Sequence, residues 1–210
     1  MVKLTVIQKR KIAAIGIIHT IGLLGIVSPY QDIFIQLSSL NLVVSAILIL
    51  PSFKDKKLII SFITVFFLGY LLEYIGVSSG LIFGEYHYGK GLFPLIYGVP
   101  LVIGVNWWML CYGAIELTRS FKANKIVHLL LATLVLTLVD FIMEQVAPKL
   151  DYWHWENNNI PIQNYLAWSF FGAIFISMLK VQIGDSKPNS VAPFLILTQI
   201  IFFILLFTLL

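Results

Sequence analysis

Three acids stand in stretches that are otherwise apolar. Glu73 lies within the run 58–81, and Asp140 and Glu144 lie within the run 126–146. A charged side chain in the hydrocarbon of a bilayer is costly, so an acid at such a depth is a functional candidate by default. Asp140 and Glu144 are four residues apart and share one helix face. No Lys or Arg lies at their depth in any run. Burial and mutual repulsion then favour one carboxyl that keeps its proton beside another that has lost it. Such a pair can deliver a proton and take one back. A single buried acid could be explained as a hydrogen-bonding partner for a backbone carbonyl or a tyrosine. Three at one depth are harder to explain so.

Other polar and aromatic groups gather near them in sequence. Glu73 shares a face with Gly69, Gly76 and Gly80, a small-residue stripe that lets another helix come close. Two aromatic triplets follow the acidic runs, Tyr86-His87-Tyr88 and Trp153-His154-Trp155. His87 and His154 are candidates for polar support, and an interfacial aromatic belt explains them equally well. Trp107, Trp153, Trp155 and Trp168, with Tyr86 and Tyr88, are candidate walls of an apolar pocket whose π faces could stabilise a cation. Asn106 and Asn164 suit the holding of a water. His19 reads as a satisfied core histidine and His128 as structural. Glu116, close to Arg119, reads as a solvated interface residue.

The elements that must position these groups are apolar helices. Of 210 residues 59% are hydrophobic and only 11% charged, against about a quarter charged in soluble domains. Seven apolar runs are separable, at 12–28, 33–51, 58–81, 93–116, 126–146, 164–181 and 191–210. They predict an all-α integral membrane protein of seven transmembrane helices, a single polytopic domain over residues 1–210. Pro29, Pro51, Pro94, Pro148, Pro161, Pro188 and Pro193 fall near run ends, where a missing amide donor costs least. Pro100 should kink the fourth helix or mark its true start. The first run resembles a signal peptide but lacks a small-x-small cleavage site, so it is expected to be retained.

Orientation follows the basic residues. Lys3, Lys9, Arg10 and Lys11, then Lys54, Lys56 and Lys57, then Arg119, Lys122 and Lys125, then Lys180 and Lys187 all fall on one side. Only Lys90 and Lys149 fall on the other. This places the N-terminus in the cytoplasm, the C-terminus outside, and the three acids in the outer leaflet. The net charge of +4 is thus a membrane signature and implies no nucleic acid partner. The single Cys111 has no disulfide partner within the chain. Spans three-four and five-six also look like a parallel repeat: Glu73, Tyr-His-Tyr, Pro100 and Trp107 run alongside Glu144, Trp-His-Trp, Pro161 and Trp168.

In combination these motifs resemble the membrane carotenoid hydratases of the CruF type, among the carotenoid biosynthesis proteins. The resemblance rests on Glu73-x-x-Gly76-x-x-x-Gly80-x-x-x-Gly84-x-Tyr86-x-Tyr88 and on Gly98-Val99-Pro100 leading to Trp107. It rests also on Asp140-x-x-x-Glu144, Trp153-x-Trp155 and Pro161-x-x-Asn164-Tyr165-x-x-Trp168. It covers residues 65–172, about half the chain. It implies hydration of the terminal C1–C2 double bond of an acyclic carotenoid, of the lycopene, gamma-carotene or bacterioruberin-precursor class. It also implies a multi-pass protein of a bacterial or archaeal cell membrane, needing no metal or redox cofactor. Asp140 or Glu144 is then the expected proton donor and Glu73 the group that orients water, although the three could exchange roles.

Other readings remain in play. A carotenoid cyclase would use the same acid and the same cation. A proton-coupled transporter or a non-catalytic carotenoid-binding protein would also bury acids. A retinal protein is disfavoured because the run 191–210 lacks lysine, and a di-iron hydroxylase because the chain has only four histidines.

Overall fold

The computed structural model describes residues 4–50, 55–121, 123–184 and 186–210. Lys3, Pro51, Lys54 and Lys122 lie outside these. The described residues fold almost wholly into α-helices, with local sequence setting their ends. α1 (Val6–Ile26) begins on a reciprocal cap, in which Thr5 and Gln8 each bond the other's backbone amide. α4 (Lys56–Ser79) starts where the Asp55 side chain accepts from the Lys57 and Leu58 amides. It stops at Gly80, whose φ of 66° suits a residue without a Cβ. α6 (Lys125–Glu144) is capped by Asn124, and α7 (Ile162–Ile183) follows Pro161. α8 (Ala192–Leu209) closes the chain.

Two of the seven expected runs differ from single helices. The second is broken into α2 (Gln31–Gln36) and α3 (Ser38–Ile49), with Leu37 at the junction. The fourth begins later than its hydropathy indicates. Residues 95–100 form a small hairpin, β2 (Leu95–Ile96) against β3 (Val99–Pro100), and α5 (Val102–Thr118) starts beyond it. Tyr97 and Gly98 take φ of 49° and 79°, the left-handed pair that a tight hairpin turn requires. Hydropathy ignores backbone direction, so an apolar hairpin and an apolar helix turn look alike in sequence. Pro100 marks the helix start rather than a kink.

α5 is the hub. It packs against α3, α4, α6, α7 and α8, and every residue in it except Leu117 is buried. Gly104 permits a close approach to α4, since a Cβ there would stand 2.5 Å from the Phe66 carbonyl oxygen. The outer helices turn large apolar side chains outward, among them Phe67, Leu130, Leu134 and Phe170. An exposed apolar surface of this extent marks a lipid contact. α4, α6, α7 and α8 are 24, 20, 22 and 18 residues long and apolar enough to cross a membrane. α3 and α5 are shorter, at 12 and 17 residues. The chain is a helical membrane protein.

One end of the bundle is tied by polar bonds. Lys11 Nζ donates to the Leu50 carbonyl, and the Asn189 side chain donates to the Ile49 carbonyl and the Tyr112 hydroxyl. Glu116 accepts from Arg119 and from the Asn189 amide and is only 5% exposed. That corrects the expectation of a solvated residue: Glu116 is a buried tie between α5 and the segment leading into α8.

The opposite end carries the two aromatic triplets. They form β1 (Tyr86–Tyr88) and β4 (Trp153–Trp155), paired antiparallel with Tyr86 opposite Trp155, His87 opposite His154 and Tyr88 opposite Trp153. Gly89 and Gly91 continue the ribbon by donating to Tyr152 and Asp151 carbonyls. Side chains alternate across a strand, so the outer residues of each triplet turn inward and both histidines turn outward.

Candidate active site

The inward aromatics meet the acids. Glu73 Oε2 accepts from the Tyr86 hydroxyl at 2.6 Å and the Tyr88 hydroxyl at 2.8 Å, and its Oε1 accepts from Trp107 Nε1 at 2.9 Å. Glu144 Oε2 accepts from Trp153 Nε1 at 2.9 Å and Trp155 Nε1 at 2.7 Å. Each glutamate is therefore held by the first and third residues of the strand that follows its helix. The two strands pair about the His87–His154 step, which gives the site a local two-fold character.

Asn164, at the start of α7, joins the remaining acid to this frame. Its Nδ2 donates to Glu144 Oε1 at 3.0 Å and to Asp140 Oδ2 at 3.1 Å. Asp140 is fully buried, and its Oδ1 has no hydrogen-bond partner among the described residues. Every other carboxylate oxygen of the three acids accepts at least one bond. Burying such an oxygen unpaired costs about 1–3 kcal/mol, so Asp140 Oδ1 is either a liability or a working group.

All three acids line one cavity of about 20 Å³, with Asn106, Met143 and Trp168 also in its wall. That is room for about one water. The spacing of Asp140 and Glu144 on one face and the stripe beside Glu73 led to this convergence from sequence. The stripe works differently from a plain helix contact. A Cβ at Gly69 would stand 2.8 Å from Trp107, and one at Gly76 2.6 Å from Phe83. The small residues make room for aromatic rings rather than for another backbone.

The aromatic candidates divide. Trp107 stacks on Trp168 with ring centroids 4.0 Å apart, and Trp168 lines the cavity. Tyr86, Tyr88, Trp153 and Trp155 line the cavity, Trp107 lies behind Trp168, and all five donate hydrogen bonds to the acids, a role the sequence reading of them as substrate walls did not include. Phe83, Ile103 and Met143 complete the wall and carry no sequence signal, since apolar residues fill every span. The structure does not bring His87 and His154 to the cavity. They stack on the outer face of the ribbon at 5.4 Å, and His154 Nε2 donates to Asp151 Oδ1 at 2.8 Å. That bond, helped by the Lys90 amide, holds the Asp151 carboxyl below the usual carboxylate range. The reason for the correction is the period of two, which sends the middle residue of each triplet away from the acids.

No group of three or more His, Cys, Asp or Glu among the described residues has an arrangement suited to a metal ion. What the cavity offers is acid–base chemistry in an aromatic chamber. An acid with one oxygen unpartnered among the described residues lies beside two acids already held by donors, in a cavity lined by aromatic residues.

No solved structure matches the chain. A bisanhydrobacterioruberin hydratase from Haloarcula japonica is 27% identical over 130 residues, which is 58% of this chain and 44% of that relative. The chain thus matches less than half the length of that relative. Residues 33–210, from α2 to the C-terminus and including every residue of the acid cluster, match the family described as carotenoid biosynthesis protein. The chain belongs to the carotenoid biosynthesis protein family.

Proposed function

We propose that this protein adds water across the terminal C1–C2 double bond of an acyclic carotenoid end group. The observation that carries the reading is Asp140 Oδ1, buried and without a partner among the described residues, in an acid whose other oxygen is fixed by Asn164. A proton on that oxygen goes to C2 of the alkene, and a tertiary cation forms at C1. Trp168 and the neighbouring aromatic wall stabilise the cation through their π faces. Glu73 and Glu144, each already held by aromatic donors, supply negative charge that needs no reorganisation as the cation develops. A water beside these carboxylates adds to C1 and loses its proton to one of them. The proton returns to Asp140 through cavity water, so acid and base are restored and the product is the tertiary alcohol. Membership of a carotenoid biosynthesis family and likeness to a hydratase that acts on bisanhydrobacterioruberin both support this class of substrate.

The same reading places seven crossings in the membrane, with α2 and α3 together as one broken crossing and the N-terminus in the cytoplasm. The two-fold hold on Glu73 and Glu144 supports an origin by duplication of α4–α5 and α6–α7. The site then lies toward the outer leaflet, where a bilayer-soluble polyene is available. Expression in a lycopene-producing bacterial host tests the function. Pigment that gains the mass of one or two waters supports hydration. Pigment of unchanged mass but altered retention means cyclisation, and unchanged pigment removes the enzymatic reading for this substrate.

A further inference from the structure

The acid cavity holds about one water, and a branched isoprenoid end group is several times larger. Its neighbours supply the missing room. Next to it lies a chamber of about 50 Å³ that shares Ile103, Asn106, Met143 and Trp153 with the acid cavity. Beyond that lies a groove of about 220 Å³, sharing Ser38, Asn41 and Phe202 with the chamber. The groove is bounded by α1, α3 and α8 and opens on the outer surface, where Ile21, Leu37 and Leu40 are 53%, 44% and 58% exposed. The three spaces form a series that narrows from the lipid-facing surface to the acids. The residues they share line the boundaries between them, and the unbranched Met143 is the most adaptable of these.

The middle chamber carries a second, independent mark of a ligand. Gln199 is 3% exposed and lines the chamber, and its Oε1 has no hydrogen-bond partner among the described residues. His19 lines the same chamber at 6% exposure, its Nδ1 bonded to the Ile15 carbonyl. Nδ1 is then the donor, which leaves Nε2 as an acceptor. The buried Gln199 Oε1 and, in the same chamber, His19 Nε2 are acceptors wasted on a purely hydrocarbon filling. They suit a passage that admits an apolar chain and also holds a water or passes an alcohol.

We propose that a polyene enters sideways from the bilayer through the groove between α1, α3 and α8 and reaches the acids through the middle chamber. The inference rests on the reading of the chain as a carotenoid hydratase, and it assigns the groove, the chamber and the partition formed by Phe202 and Met143 to the body of the substrate. The occupant is a long acyclic isoprenoid. The groove is apolar for most of its length, its mouth lies among lipid-facing residues, and the chamber at its inner end borders the cavity of the acid that needs an alkene.

Thiol chemistry tests the route separately from the reaction. Cys111 is fully buried, so an introduced surface cysteine can be modified alone. The Leu40→Cys protein places a thiol in the groove, and the Leu130→Cys protein places one on the lipid face of α6 as a control. Both are purified in detergent, their turnover of lycopene before modification is taken as each protein's own reference, and both are treated with a bulky thiol reagent with and without bound lycopene. The route predicts that modification at residue 40 lowers kcat/KM at least tenfold, that lycopene slows that modification several-fold, and that residue 130 shows neither effect. Full turnover by the modified Leu40→Cys protein, or no protection by lycopene, overturns the route while hydration stands. Protection at residue 40 with no hydrated product in any sample supports the route and removes the hydratase reading instead.

Discussion

Asp140→Asn separates chemistry from architecture. The substitution keeps the shape of the side chain and removes the proton. Among the described residues Asp140 makes a single side-chain bond, from Asn164 Nδ2 at 3.1 Å to Oδ2. The amide oxygen of asparagine keeps that bond, and the amide nitrogen replaces an oxygen that had no partner. The net effect on stability is therefore within about 1 kcal/mol, which in a chain of this size moves the midpoint of thermal unfolding by about 2–4 °C. The effect on rate is of another order. A positioned general acid contributes roughly 10²–10⁴-fold, which is about 2.7–5.4 kcal/mol of barrier. Single-turnover hydration of lycopene by purified protein, beside a thermal melt of the same sample, reads both quantities. A variant that melts like wild type and converts substrate at more than about a third of its rate would refute the assignment of Asp140 as proton donor.

Further outcomes follow from the same geometry. Tyr88→Phe removes one hydroxyl donor from Glu73 and is expected to cost about 1.5–3 kcal/mol in thermal or denaturant unfolding. Glu73→Gln turns one of the two acceptor oxygens into an amide donor, which then faces either Trp107 Nε1 or the two tyrosine hydroxyls, and should cost more than Tyr88→Phe in the same assay. Asn189→Ala removes side-chain bonds to the Ile49 carbonyl, the Tyr112 hydroxyl and the Val191 amide. It should lower stability by about 2–4 kcal/mol while the folded fraction hydrates substrate at the wild-type rate, as read by active-site titration. Asp151 gives a pH dependence. Its folded-state pKa lies below the ordinary value of 3.8 because His154 donates to it. Its contribution to stability is thus present above that value and lost as pH falls through the lower, folded value. Hydrogen exchange at the Lys90 amide, which donates to Asp151, should quicken there, and Asp151→Asn should remove that pH response.

Much of the candidate site was legible in the sequence because the membrane makes polar residues conspicuous. Glu73, Asp140 and Glu144 stood out by depth alone, and the spacing of the last two fixed their common face. Asn164 and Trp168 followed from their place at the start of the next apolar run. The ribbon was not legible. Tyr86–Tyr88 and Trp153–Trp155 lie far apart in sequence, and a three-residue strand has too short a period to announce a partner. Without that pairing nothing shows that the histidines turn outward, or that indole and phenol groups point at carboxylates. The hub position of α5 was hidden for a related reason. An all-round apolar helix reads the same whether it faces lipid or protein, and only the neighbours distinguish the two. The division of the second run at Leu37 left no mark, because no proline or glycine sits there.

The most direct measurement is the fate of isotope in the product. Purified protein is given lycopene in deuterium oxide, and separately in heavy-oxygen water. Protonation at C2 and capture of water at C1 predict one deuterium on C2 and one heavy oxygen in the tertiary alcohol for each end group converted. A product that carries no heavy oxygen would contradict the account, because the cation would then have been quenched by something other than water.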